Sequence, residues 1–278
     1  VTVDSEQSVQ NPFRDFRLTV EFQHIQSGLT LHVPGYFAAD GMAAESGASS
    51  GTIWRAHLAP PLPGQWTYRA TFRQGTDIAI ILDPGAGDDA PMSGKSGTFL
   101  IENPVEAPLG FLGKNLLSAS SETYLRHAGT SEVFLKFGAN SPENFLGYSG
   151  FDQTPDGQHF YLPHVQDWRL GSPSWHGGVD GKGIIGALNY LANMGMNSVY
   201  LLTFNIGGDG DDVWPWTSKS ERVRFDCSKL DQWEIVFDHM DRLGISAHLA
   251  LQEQEIDNGP LALDGGALGL ERMLYHRG

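Results

Sequence analysis

Apolar and polar positions alternate through the first hundred residues of the chain. Phe16, Leu18, Val20 and Phe22 are separated by Arg17, Thr19 and Glu21, the period of two that sends successive side chains to opposite faces of a strand. Leu29, Leu31 and Val33 repeat it, and Pro34-Gly35 breaks the run before Tyr36-Phe37 starts another. Ile53 to Leu58, the series Trp66, Tyr68, Ala70 and Phe72, Ile78 to Leu82, and Gly97 to Ile101 continue the pattern. About seven short strands with no helical pattern between them predict an Ig-like antiparallel β-sandwich over residues 1–104. Its inner faces are expected to hold Phe16, Leu18, Val20, Phe22, Trp54, Trp66 and Tyr68.

The pattern then changes. Residues 105–133 read as a linker and entry segment, and residues 134–278 as α/β. Phe134 to Ala139 is a short apolar strand. Ile184 to Met194 has helical spacing, with Ile185, Leu188, Leu191 and Ala192 on one face. Gly195 ends it, and Met196 to Phe204 reads as a buried strand. Lys229 to Leu243 is a second helix, with Ser228 as its N-cap, Gly244 just past its end, and an apolar stripe of Trp233, Val236, Phe237 and Met240. Ile245 to Leu251 is the next strand, and a third helix is expected to start near Gly266. A helix that ends in glycine and leads at once into an apolar strand is the joint of parallel α/β folds. No glycine-rich phosphate fingerprint follows the first strand, which disfavours an open nucleotide-binding sheet. A full TIM-type (β/α)8 barrel takes about 250 residues. The expectation is therefore a partial barrel, its first three βα units, truncated at Gly278.

Composition narrows the function. Lys and Arg total 18 against 33 Asp and Glu, a net charge of −15. Such a chain repels phosphate backbones and anionic lipid, so neither nucleic acid nor membrane is an expected partner. No basic patch is evident that would serve an anionic polysaccharide. The single cysteine, Cys227, allows no disulfide framework and reads as a buried structural residue. No zinc spacing, P-loop or Gly-x-Ser-x-Gly occurs, and no cofactor is expected.

Asn11-Pro12-Phe13-Arg14-Asp15-Phe16 and Gly64-Gln65-Trp66-Thr67-Tyr68 resemble the Ig-like domain of unknown function 5060, which precedes glycosidase-like barrels in many bacterial secreted proteins. Phe134 to Asn144, Asn205 to Trp216 and Arg224-Phe225-Asp226 resemble those barrels, which are related to apiosidase-like and other glycoside hydrolases. The resemblance implies a bacterial protein that is secreted, periplasmic or on the cell surface, with a carbohydrate substrate. It also implies a catalytic acid/base after the fourth barrel strand and a nucleophile after the seventh, both beyond Gly278, so residues 1–278 alone are expected to be inactive.

Barrel active sites lie in the loops after the C-terminal ends of the strands. The first such loop offers Asn140, Glu143 and Asn144, with Trp168 and Trp175 further along. The second offers Asp209 and Asp211 beside Trp214 and Trp216. The third offers Glu253 and Glu255. Aromatic rings stack on sugar C–H faces, while carboxylates and amides partner hydroxyls. Glu253 and Glu255 alternate onto one side of their strand and resemble a glycosidase pair, but the family pattern makes them subsite residues, supports behind the site, or ion-pair partners of a neighbouring loop. Asp209, Asp211 and Asp212 offer oxygen ligands of the kind calcium takes, yet Ser220 stands where an EF-hand would need its bidentate Glu, and no metal is expected. The competing readings are a non-catalytic carbohydrate-binding or cell-surface protein that keeps the barrel scaffold, and a polysaccharide lyase.

Overall fold

The computed structural model describes residues 10–103, 109–119, 123–140, 143–155, 157–208, 210–251 and 269–277. Strands β1 (Phe16–His24), β2 (Thr30–Phe37), β3 (Trp54–Arg55), β4 (Gly64–Gln74), β5 (Asp88–Asp89) and β6 (Ser96–Ile101) form one antiparallel six-stranded sheet in the order β3-β2-β1-β4-β5, with β6 also on β4. The register pairs Leu18 with Phe72, Val20 with Ala70 and with Val33, and Phe22 with Tyr68 and with Leu31. Even-numbered residues of β1 and β4 thus share one face with odd-numbered residues of β2. That face is the core expected from the alternation: Leu18, Val20, Phe22, Trp66 and Phe72 are buried, and Phe16, Trp54 and Tyr68 pack against them. Trp66 is wholly buried and satisfies its indole N–H on the Leu62 carbonyl at 3.1 Å. Burying each such side chain contributes roughly 1.5–3 kcal/mol.

Three local expectations are corrected. Pro34 does not end its strand. Instead β2 runs through it and changes partner, pairing with β1 up to Gly35 and with β3 at Tyr36 and Phe37; proline lacks the N–H that an unbroken ladder would use. Ile78 to Leu82 is not a strand but holds a 3-10 turn, Ile78–Ile80, entered through Asp77 in the left-handed region. The Ile78 and Ile80 amides bond locally, to the Gly75 and Asp77 carbonyls, the Ala79 amide donates to the Arg14 carbonyl at 3.1 Å, and the Ile78 side chain is buried. A one-turn helix, α1 (Ala43–Ser46), also interrupts the strands.

In the segment read as linker and entry, the described residues between 109 and 134 form α2 (Gly110–Lys114) and a three-stranded antiparallel sheet of β7 (Leu117–Ala119), β8 (Leu125–His127) and β9 (Val133–Phe134). The expected strand Phe134 to Ala139 is therefore split. Its first residue closes β9, and its last two form β10 (Gly138–Ala139).

The second half is parallel, as expected. Strands β10, β11 (Ser198–Leu202) and β12 (Ser246–Ala250) lie side by side in that order. Helix α3 (Lys182–Asn193) connects the first pair and α4 (Cys227–Leu243) the second. Ile184, Ile185 and Leu188 of α3 meet Val199 and Leu201 of β11 and Trp233, Val236 and Met240 of α4 in one core. The N-cap of α4 is Asp226 rather than Ser228: its carboxylate accepts the Lys229 amide at 3.1 Å, and Ser228 instead donates to it. Gly244 closes the helix with φ +73°. Helix α5 (Leu270–Arg277) follows, and the expected start near Gly266 lies outside the described residues. The parallel sheet is not fully covered: Phe137 before β10 and His248 and Leu249 on β12 are exposed. Among the described residues no helix is long and apolar enough to cross a membrane.

The antiparallel sheet is tied to α4. Arg55 pairs with Asp231 at 3.1 Å, Tyr36 donates to Glu234 at 3.0 Å, and His57 lies 2.7 Å from the same carboxylate.

Candidate functional site

The loops that leave β10 and β11 meet at the C-terminal end of the parallel sheet. The Leu202 amide donates to the Glu143 carbonyl at 2.8 Å, which sets the first loop beside the end of β11. Asp212 then joins the two loops. Its Oδ2 accepts from Asn144 Nδ2 and its Oδ1 from Asn205 Nδ2, both at 2.9 Å. Asn205 also receives the amides of Asp212 and Val213 on its Oδ1, at 3.0 and 2.8 Å. Asp212 and Asn205 are both fully buried. A buried carboxylate is tolerated where it accepts several hydrogen bonds, and each is stronger for being charge-assisted.

Backbone geometry admits this knot only with glycine at two points. A Cβ on Gly147 would stand 2.4 Å from Asp212 Oδ2. At Gly210, where φ is +101°, it would stand 2.9 Å from Asn205 Nδ2 and 3.0 Å from Asp212 Oδ1. The Gly-rich, Asp-rich run after β11 is thus a tight loop wrapped around one carboxylate.

The knot reaches the surface through His159. Asn144 Nδ2 is committed to Asp212, so its Oδ1 accepts the proton of His159 Nε2 at 2.8 Å. That proton position leaves Nδ1 as the acceptor nitrogen of a half-exposed imidazole. Tyr161 stacks on the ring at 5.5 Å and donates to the Phe145 carbonyl at 3.0 Å. Burial, and then the Asp212 charge, push its hydroxyl pKa up.

Asn140 is exposed, and Glu143 and Asn144 are half-buried at this end. Asp211 is exposed and paired with Lys219 at 3.1 Å. The tryptophans are placed differently from the stacking surface expected. Trp175 is wholly buried, stacked on Phe151 at 5.5 Å, with its N–H on the Gly150 carbonyl. Trp214 and Trp216 lie in an inner cluster with Phe204 and Phe225. Their rings already carry the protein's own cations: Lys229 at 4.5 Å and Lys219 at 5.2 Å from Trp214, and Arg222 at 4.6 Å from Trp216. Trp168 is half-buried beside α3, 5.1 Å from Lys182, and donates to the Pro173 carbonyl. Asp209, Glu253 and Glu255 lie outside the described residues.

Two polar groups carry no obvious sequence signal. Lys229 is buried within α4 and donates to the carbonyls of Gln153 at 3.0 Å and Trp214 at 3.4 Å. Burial lowers its pKa to about 8 against the opposing pull of Asp226 and Asp152. His176 is held by Asp180 at 2.9 Å and Asp152 at 3.5 Å, and the Asp180 hydrogen bond raises its pKa. Only the i, i+4 spacing of His176 and Asp180 was visible in the chain. Among the described residues no group of three or more His, Cys, Asp or Glu is arranged to hold a metal ion. The Asp212 oxygens face amide N–H donors, the opposite of what a cation requires.

Residues 1–73 match a domain of unknown function (DUF5060), a span that contains both N-terminal stretches on which the resemblance rested. No curated protein matches the chain. Among solved structures the chain is similar to a "putative glycoside hydrolase" from Bacteroides vulgatus, at 17% identity with a TM-score of 0.54, over 93% of this chain and 41% of that one. At that identity the likeness is one of fold, and the chain spans about two-fifths of the length of the structure it matches.

Proposed function

We propose that this chain is part of a secreted glycoside hydrolase, an Ig-like β-sandwich followed by the first three βα units of a barrel, and that the C-terminal end of β10–β12 is its glycan-facing side. The observation that carries this reading is the Asp212 knot. It binds the loops of adjacent parallel strands together at the end of the sheet where barrel enzymes place their sites. It also fixes Asn144 and His159 from below, leaving the solvent side of both for hydroxyl groups. The exposure of His248 and Leu249 on β12 accords with an incomplete barrel, since parallel strands are normally covered on both faces. The fold likeness to the Bacteroides vulgatus protein supports the class. In this reading Asn140, Glu143 and Asn144 contact sugar, Glu253 and Glu255 are subsite residues, and the catalytic carboxylates follow later strands.

The test is polysaccharide binding and release of reducing ends by residues 1–278. Binding without turnover is expected, and Glu143→Gln with Asn144→Ala should weaken it at least about tenfold. Binding indifferent to both changes would remove the site. Turnover abolished by Glu253→Gln or Glu255→Gln would move the catalytic centre to the third loop.

A further inference from the structure

The outward face of the antiparallel sheet carries a cleft of about 420 Å3. Three arginines line it, Arg17 of β1, Arg69 of β4 and Arg277 of α5, on a chain whose net charge is −15. Arg73 stands across the ladder from Arg17 and is paired with Asp89 at 2.8 Å. Two of these guanidinium groups are held by neutral acceptors. Arg17 donates to the carbonyls of Ile81, Asp83 and Pro84, and Arg277 donates to that of Ile80. Arg69 is exposed. Glu21 is the one carboxylate in the lining; it stands across the ladder from Arg69 and lies 3.9 Å from His32. Positive charge therefore exceeds negative charge in the cleft. Burial, and then repulsion from Arg277 and Arg73, lowers the Arg17 pKa against the opposing pull of Asp83.

Like charges gathered in excess of their counter-charges oppose folding unless an anion relieves them. Guanidinium forks match the two oxygens of a carboxylate. The rest of the lining is not what a bare ion needs. Thr19 and Thr71, paired across β1 and β4, present hydroxyls, and Ile81, Leu82 and Pro84 make an apolar wall, with Leu82 78% exposed. Hydroxyls beside an apolar wall complement a sugar ring, which has both C–H faces and hydroxyl edges. We propose that this cleft binds the carboxylate of a uronic-acid residue in an acidic polysaccharide, as an accessory site on the antiparallel sheet, separate from the parallel-sheet end. The choice of a glycan as the carrier of the carboxylate rests on the carbohydrate-active reading above.

The experiment is affinity electrophoresis and calorimetry of residues 1–278 with polygalacturonate, its fully methyl-esterified form, a neutral glucan and dextran sulfate. Arg69→Gln is the decisive variant because its exposed side chain leaves the fold untouched, which a matching urea curve verifies. Arg277→Gln is the second. Binding to polygalacturonate is expected, weakened about tenfold by esterification, by Arg69→Gln and by rising NaCl, and unchanged by Glu143→Gln. Absence of polygalacturonate binding overturns the proposal, as does equal affinity for the methyl ester or indifference to both arginine changes. Dextran sulfate bound as tightly as polygalacturonate would reduce the cleft to a general anion site. Neutral glucan bound in a Glu143-dependent way, with polygalacturonate ignored, would reject this inference while leaving the proposed function standing. Arginine-dependent uronate binding with no Glu143-dependent glycan binding would do the reverse.

Discussion

Replacing Asp212 by Asn tests the knot that joins the two loops. The carboxylate accepts one amide proton on each oxygen, from Asn205 and from Asn144, at 2.9 Å in both cases. A carboxamide offers one oxygen and one NH2. If it keeps the Asn205 bond, its own NH2 must face Asn144 Nδ2, donor against donor, in a site with no exposure to water. One hydrogen bond to a charged group is lost, about 1.5–3 kcal/mol, and an unsatisfied buried donor adds about 1–3 kcal/mol. The release of a buried charge offsets part of this, so a net loss of about 3 kcal/mol is expected, or a fall in Tm of roughly 6–12 °C for a chain of this size. Urea and thermal unfolding measure it. Asn144→Asp combined with Asp212→Asn should recover most of the loss. The carboxamide at position 212 would then accept from Asn205 and donate to the carboxylate at position 144, whose second oxygen still accepts His159 Nε2. Asn144→Asp alone places two carboxylates together and should be the least stable of the set, which the double-mutant cycle reports as strong coupling. Unfolding of Asp212→Asn within about 0.5 kcal/mol of the parent, or a double variant no better than the sum of the singles, would refute the reasoning.

Two further outcomes follow from buried groups on α4. His239 donates from Nε2 to Asn189 Oδ1 at 2.8 Å, and burial pushes its pKa down to about 4. Its neutral form is native while the unfolded chain protonates near 6.5, so its contribution is complete above about 6.5 and is lost as pH falls toward 4, by about 3 kcal/mol in all. Urea unfolding at pH 7 and 4.5 should show a smaller acid loss in His239→Gln than in the parent, and equal losses would contradict it. The Cys227 thiol, buried and pushed up to about 12 by burial and then by the Asp226 charge, should react with a disulfide reagent only on unfolding. Rapid labelling of the native protein would show that α4 opens at its N-terminus.

Periodicity alone located the elements whose faces are decided by neighbours in the chain. The even-numbered apolar residues of β1 and β4 declared the inner face of the sheet, because side-chain direction in a strand depends only on parity. The stripe of α4, and Gly244 after it, marked that helix for the same local reason. Ile78 to Leu82 misled because an apolar run is equally compatible with a strand and with a single buried side chain on a turn, and Asp77 in the left-handed region decided for the turn. Ser228 misled because the helix begins two residues earlier than the apolar stripe suggests, at Cys227, where the Asp226 carboxylate caps it by accepting the Lys229 amide. At the candidate site, the loops were legible from their position after parallel strands, and Asn144 was singled out within them. Which acid held those loops together was not legible. Asp211 and Asp212 look alike in the chain, and only closure of the first loop over the second, against Gly147 and Gly210, buries Asp212 while Asp211 stays exposed. The basic cleft was invisible for the same reason. Arg17, Arg69 and Arg277 lie far apart along an acidic chain, and antiparallel pairing of β1 with β4, together with the docking of α5, is what brings their charges to one face.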